Sequence, residues 1–224
     1  MAAKPAPPRP VPRLYLATPV VGDSPALVSS LPGLLAVADI AAVLVRLQMT
    51  DQRSMIARTT ALAPSIQNTG AALLLDGHVE LVARTGADGA HLSGLTALEE
   101  ALPSLKPDRI AGVGRLATRH DSMLAGELDA DYVLFGEADA KGHRPSRDAV
   151  VERLGWWAEL FEPPCIGYAA SSEEAYAFAR AGADFVLVGD AAWGDARGAT
   201  AALAEFGQAM RQAHAEMRAA AQAG

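Results

Sequence analysis

A short phrase recurs along this chain and dictates most of what the chain can become. It reads Gly86-Ala87-Asp88-Gly89-Ala90-His91-Leu92, then Asp129-Ala130-Asp131-Tyr132-Val133-Leu134-Phe135, then Gly182-Ala183-Asp184-Phe185-Val186-Leu187-Val188, with a fainter copy at Val37-Ala38-Asp39-Ile40-Ala41-Ala42-Val43. Every copy follows a helix-like segment and opens an apolar run. A helix that stops near glycine, turns at Ala-Asp and feeds a strand covered on both faces has this composition. The phrase therefore implies alternating helices and strands.

Apolar runs near 14–18, 41–47, 72–75, 88–92, 110–113, 131–135, 164–167 and 184–188 are the strands predicted on this basis. Helices are predicted near 25–37, 51–67, 77–84, 95–102, 118–128, 146–160, 171–181 and 196–219. Alternation means parallel pairing through right-handed crossovers, and eight repeats suit a closed barrel. The expected fold is α/β, a single (β/α)8 TIM barrel over 14–224 behind a Pro-rich N-terminal tail over 1–13; a doubly wound open sheet is the alternative. The last helix carries Leu203, Phe206, Met210, Ala213 and Met217 at three- and four-residue steps, a stripe suited to covering a barrel wall.

Composition narrows the function classes. With 19 Lys+Arg against 26 Asp+Glu the formal charge is -7, which argues against nucleic acid and anionic membrane as partners. The single cysteine, Cys165, cannot form an intrachain disulfide, and no Cys/His cluster has structural-zinc spacing, so a reducing, cytoplasmic setting is expected. The first thirteen residues hold five prolines and no apolar core of a secretory signal. No apolar stretch approaches the ~18 residues of a membrane span.

In such a barrel the working groups lie beyond the C-terminal ends of the strands. In strand order these positions hold Thr18, then Arg46 and Gln48, Asp76, His91, Gly114 and Arg115, Gly136 and Glu137, Gly167 and Tyr168, and Gly189 and Asp190. Arg46 and Arg115 either grip a phosphate or carboxylate or pair with a carboxylate such as Asp76 or Glu137. Gly167 and Gly189 permit close backbone approach to a phosphate, whereas Asp190 must point away if one binds there. His91, inside an apolar strand, is either an acid/base or part of a polar layer in the barrel interior. Only Lys4, Lys106 and Lys141 exist, and none but Lys141 follows a strand, so Schiff-base chemistry is disfavoured. Paired acid/base groups are missing from the series, which weakens an epimerase or isomerase reading.

From about Leu14 to Trp193 the order of motifs resembles the thiamine phosphate synthase and TenI-like family of (β/α)8 barrels. The resemblance is carried by Leu14-Tyr15-Leu16-Ala17-Thr18, Val45-Arg46, Leu73-Leu74-Leu75-Asp76, the Ala-Asp phrases at 86–92, 130–136 and 182–184, and Ile110-Ala111-Gly112-Val113. It implies a reaction in thiamine biosynthesis that couples a thiazole phosphate to an aminopyrimidine pyrophosphate and releases pyrophosphate, with Mg2+ neutralising the leaving group. On that reading Asp76 binds the metal and Arg46, Arg115 and Lys141 are catalytic cations. Thr18, Gln48, His91, Gly114, Gly136, Gly167, Tyr168 and Gly189 then line the site for a small phosphorylated metabolite. A homodimer is suggested by the resemblance and by Trp156, Trp157 and Trp193 as interface anchors.

Departures from the family pattern are equally plain. Arg-Glu-Lys after the second strand is Arg46-Leu47-Gln48, Asn-Asp after the third is Leu75-Asp76, and a second magnesium carboxylate after the fourth is replaced by Thr96. The Ile-Gly-Gly phosphate turn after the seventh strand reads Ile166-Gly167-Tyr168, and the loop after the sixth begins with Glu137. The tautomerase pattern Ser-x-His after the fifth strand is Gly114-Arg115-Leu116. These losses leave two readings beside each other: an altered synthase, or a non-catalytic binding or regulatory barrel with a remodelled pocket.

Overall fold

The computed structural model describes residues 9–23, 25–139 and 141–223. Residues 1–8 of the expected tail lie outside the described residues. Eight strands, β1 (Arg13–Val21), β2 (Ile40–Leu47), β3 (Ala72–Asp76), β4 (Gly89–Ser93), β5 (Ile110–Gly114), β6 (Tyr132–Phe135), β7 (Cys165–Ala169) and β8 (Phe185–Val188), pair in sequence order into a closed barrel. All pairs are parallel, and β8 closes on β1 with Arg13 opposite Phe185. The crossovers are α1 (Pro25–Leu35), α2 (Gln52–Gln67), α3 (Val79–Thr85), α4 (Leu95–Leu105), α5 (Arg119–Glu127), α6 (Arg147–Leu160) and α7 (Ser172–Ala181). A short α8 (Asp190–Trp193) and the long α9 (Ala199–Ala223) complete the chain.

The recurring aspartates have a structural task. Asp88 Oδ2 accepts from the Leu73 amide at 2.7 Å, Asp131 Oδ2 from the Ala111 amide at 2.6 Å, and Asp184 Oδ2 from the Cys165 amide at 2.8 Å. Each carboxylate thus ties the entry of one strand to the entry of the strand before it, satisfying an amide that the ladder leaves unpaired. Asp39, in the faint copy, instead accepts from the Arg13 guanidinium at 2.8 Å. Gly86 and Gly182 end their helices in the left-handed region at φ 73° and 99°. In the second copy Asp129 takes that position at φ 66°.

Two cores follow from strand alternation. Tyr15, Ala17, Leu44, Leu74, Tyr132, Leu134, Ile166 and Leu187 fill the barrel, while the opposite faces of the strands pack with the helices in one larger cluster. Leu203, Phe206, Met210 and Ala213 of α9 are buried there, as their spacing anticipates. Trp157 is fully buried, stacks on Phe161 and donates to the Pro163 carbonyl at 2.7 Å; Trp193 of α8 donates to the Ala17 carbonyl at 2.8 Å. These tryptophans are engaged within the chain.

Element ends differ from expectation at several points, among them α1, which ends at Leu35 rather than 37, and α3, which begins at Val79 rather than 77. β1 continues past Thr18 to Val21 because a register shift between Ala17 and Val20 absorbs Pro19, whose missing amide cannot join the ladder. α4 runs through Pro103 to Leu105 with its final turn intact, since Leu105 and Leu98 are both buried against the wall. α8 was not anticipated, and α9 begins at Ala199 rather than 196. Among the described residues no helix is long and apolar enough to cross a membrane.

Candidate functional site

Side chains that continue the inward series past the apolar layer emerge at the C-terminal mouth. Arg46 follows Leu44, Asp76 follows Leu74, Tyr168 follows Ile166 and Gly189 follows Leu187, each at the two-residue step of a strand. Alternation thus converts an apolar barrel interior into a polar rim.

A polar column rises through that interior. Tyr15 Oη lies 3.1 Å from Tyr132 Oη, and Tyr132 Oη lies 3.0 Å from His91 Nδ1. The Tyr132 and His91 rings are nearly parallel, with centroids 5.8 Å apart. Burial pushes both phenols above their usual range, so both remain hydroxyl donors. His91 is 1 % exposed, and its Nε2 has no hydrogen-bond partner among the described residues; Glu137 Oε1 stands 3.4 Å away. Glu137 is fixed by its other oxygen, which accepts from the Arg115 amide at 2.9 Å. Two glycines make room for the column. A Cβ at Gly112 would strike the Tyr132 ring, and one at Gly114 would collide with Glu137 Oε2 and lie 2.9 Å from His91 Nε2. His91 therefore belongs to the polar layer, and the fold also supplies the imidazole and carboxylate pair that the strand ends taken singly do not reveal.

The arginines of the rim each face a carboxylate. Arg46 Nη2 lies 2.5 Å from Asp190 Oδ1, its Nε donates to the Thr18 carbonyl, and its amide donates to Thr18 Oγ1 at 3.1 Å. Its partner is thus neither Asp76 nor Glu137. Thr18 is fully buried and orients Arg46. Arg115, at φ 52°, keeps its Nε 4.0 Å from Glu137 Oε1. Arg144, which the strand-end series does not contain, donates to the Gly136 carbonyl at 3.0 Å, to the Tyr168 carbonyl at 2.5 Å and to Glu174 Oε2 at 3.0 Å. It thereby fastens the loop after β6 to the end of β7 and the first turn of α7, with its guanidinium 5.3 Å from the Tyr168 ring centroid.

The remaining expected residues are spread around the rim. Asp76 ends β3 opposite His91 in register, and its charge reaches both Tyr15 and Tyr132. Gln48 is exposed and leans over Gly22. Lys141 is exposed, and its ammonium makes no ion pair among the described residues. A Cβ at Gly167 would lie 2.7 Å from the Phe178 ring, so packing against α7 demands that glycine. A Cβ at Gly189 would lie 2.9 Å from the Tyr168 hydroxyl. Beside Arg115 a cavity of about 480 Å³ is lined by Glu137, His143, Arg144 and Arg153.

A (β/α)8 barrel with polar and charged groups gathered at its C-terminal mouth defines the class: a barrel whose site handles a small polar ligand. The family model described as thiamine monophosphate synthase matches residues 14–192. The chain is 36 % identical over 202 residues to a thiamine-phosphate synthase of Rhodospirillum centenum, covering 89 % of this chain and 98 % of that protein. It is 34 % identical over 210 residues to one of Hyphomonas neptunium, covering 89 % and 94 %. Its fold matches a thiamine phosphate pyrophosphorylase of Pyrococcus furiosus with TM-score 0.70 at 20 % identity, covering 90 % of this chain and 96 % of that one. It also matches 3-hexulose-6-phosphate synthase of Salmonella typhimurium with TM-score 0.65 at 17 % identity, covering 90 % and 100 %. The chain belongs to the thiamine monophosphate synthase family.

Proposed function

We propose that this barrel couples a thiazole phosphate to an aminopyrimidine pyrophosphate in thiamine biosynthesis. The observation that carries the reading is Arg46 and Asp76 on neighbouring strands at the mouth, one cation and one carboxylate above a closed polar floor, in a chain of this family. In the reaction the thiazole nitrogen lone pair forms a bond to the exocyclic methylene carbon of the pyrimidine. The carbon–oxygen bond to pyrophosphate breaks, and pyrophosphate leaves with the bonding electrons.

Arg46, oriented by Thr18, is the cation set to receive the departing oxyanion. Arg115 and Lys141 are the further cations of the rim. Glu137 places negative charge where positive charge develops on the pyrimidine methylene and then on the thiazolium. The Tyr15, Tyr132 and His91 column closes the floor against water. Gln48, Gly114, Gly136, Tyr168 and the turns at Gly167 and Gly189 border the space for the phosphorylated substrates.

Among the described residues no three His, Cys, Asp or Glu side chains are grouped to hold a metal by themselves. Asp76, whose carboxylate has no hydrogen-bond or ion-pair partner among the described residues, suits a Mg2+ that takes the rest of its shell from pyrophosphate and water. When bound, that ion supplies charge neutralisation of the leaving group. The buried lone thiol of Cys165 supports a cytoplasmic setting.

Incubation with Mg2+ and both substrates, followed by oxidation of thiamine phosphate to its fluorescent product, tests the reading. Turnover is expected in the natural chain and a fall of at least about a hundredfold in Asp76→Ala, since loss of a mere outer-shell partner of a metal ligand already costs about 10–100-fold. Folded protein without turnover overturns it and leaves the second reading, a non-catalytic binding barrel. That reading draws its support from the carboxylates that already face the rim arginines.

A further inference from the structure

Arg46 and Asp190 are unequally held. The Arg46 side chain is 23 % exposed and is anchored through Nε to the Thr18 carbonyl, whereas the Asp190 side chain is 76 % exposed and, among the described residues, bonds to Arg46 alone. Asp190 is therefore the partner free to move. Its backbone sits directly after Gly189, over which the Tyr168 hydroxyl stands. Burial raises the Tyr168 phenol above its usual range, and the charge of Asp190 adds to this while Arg46 and Arg144 oppose it, so all four groups share one electrostatic neighbourhood. Arg144 is committed to Glu174 and to two backbone carbonyls. Arg46 is thus the guanidinium on this side of the mouth that exchange of a single exposed carboxylate would release.

We propose that Asp190 is an affinity-determining residue of this barrel: its carboxylate occupies the oxyanion position on Arg46, and a phosphorylated ligand binds there by displacing it. The proposal rests on the reading that Arg46 receives the pyrophosphate group. A carboxylate and a phosphate compete for the same fork of N–H donors, and both cannot stay beside one guanidinium without repelling each other. Ligands with more phosphate charge displace Asp190 more readily, so the site discriminates by anionic charge.

Calorimetric titration with inorganic pyrophosphate in Mg2+, at fixed ionic strength, tests this in the natural chain, Asp190→Asn, Arg46→Gln and the double variant. Asp190→Asn keeps the shape and removes the charge; Asp190→Ala serves as a second variant, and thermal melts check that every protein is folded. Asp190→Asn is expected to bind pyrophosphate about tenfold more tightly, a gain absent from the double variant. Binding by Asp190→Asn within twofold of the natural chain, or a gain that persists without Arg46, overturns the proposal. If Arg46→Gln weakens binding while Asp190→Asn leaves it unchanged, this inference alone fails. If pyrophosphate binds none of the proteins, or binds all equally, the assignment of Arg46 in the proposed function fails with it.

Discussion

Removing the Tyr132 hydroxyl isolates the energetic role of the barrel's polar column. Tyr132→Phe keeps the ring and so keeps its edge contact with Tyr15, at 6.0 Å and 88°, and its stack with His91. What disappears is one oxygen that serves two buried partners, Tyr15 Oη at 3.1 Å and His91 Nδ1 at 3.0 Å. A buried polar group left without a partner costs roughly 1–3 kcal/mol, so two orphans together cost about 2–6 kcal/mol. His91, whose Nε2 already lacks a partner, would then have no hydrogen bond at either ring nitrogen. Tyr15→Phe removes the end of the column instead and leaves the bond between Tyr132 and His91 intact. That change should cost only about 0.5–1.5 kcal/mol, the net worth of one hydrogen bond. At roughly 2–4 °C per kcal/mol for a domain of this size, Tyr132→Phe should melt several degrees below Tyr15→Phe. The double variant removes the Tyr15 orphan and should be less destabilised than the sum of the singles. Urea unfolding followed by tryptophan fluorescence, with unchanged slope, measures all three. The reasoning is refuted if Tyr132→Phe is within about 0.5 kcal/mol of the natural chain, a scatter typical of neutral substitutions, or if Tyr15→Phe costs as much.

Two further outcomes are expected. Asp88→Ala, Asp131→Ala and Asp184→Ala should each lose about 1.5–3 kcal/mol, the worth of a hydrogen bond to a charged group, with Asp131 gaining nothing extra from its part-exposed contact with Lys106; three variants indistinguishable from the natural chain in urea would show that the recurring aspartate is dispensable. Burial pushes the Cys165 thiol up to about 12, whereas an unfolded thiol ionises near ~8.5. The stability this supplies is complete below the unfolded value and is lost as pH climbs through that window, so Cys165→Ala should flatten the alkaline decline of the unfolding midpoint, and a thiol reagent at pH 8 should label the natural chain only as it unfolds.

The fold was legible because one local rule repeats. Strands covered on both faces read as unbroken apolar runs, and the Ala-Asp phrase marks their entries because in its three clear copies the aspartate makes the same bond to the strand before it. What escaped has equally local causes. Four residues of α8 are too few to show a helical period, and the bulge at Pro19 depends on a partner strand that the sequence does not display. At the site, each rim position was legible but its partner was not. Arg46 and Asp190 are 144 residues apart, and Arg144 lies well beyond its strand, in a loop whose course only the fold determines. The column did leave a trace: Tyr15, His91 and Tyr132 are polar groups within apolar strands, and Gly112 and Gly114 stand two apart on one face of β5. A pair of glycines at alternate positions signals that something large from a neighbouring strand lies across them, here the Tyr132 ring of β6, in register with Gly112, and the Glu137 carboxylate that follows it.

The carboxylates of the mouth make physical sense when taken together with its arginines rather than one at a time. Arginines gathered at a barrel mouth repel one another when no anion is bound, and a mouth that keeps them stabilises its empty state by supplying carboxylates of its own. Asp190 does this for Arg46, Glu137 for Arg115 and Glu174 for Arg144. The three pairs differ in burial, and the difference decides their consequences. Glu137 is 15 % exposed and Glu174 21 %, and each also accepts a backbone amide, so both are structural fixtures of their loops. Asp190, at 76 % exposed, faces water and has little to lose by turning into it. Of these three arginines Arg46 alone pairs with a mostly exposed carboxylate, so on the proposed reading it is the arginine whose neutralisation an incoming anion reverses most readily, and it stands beside Asp76 on the neighbouring strand β3.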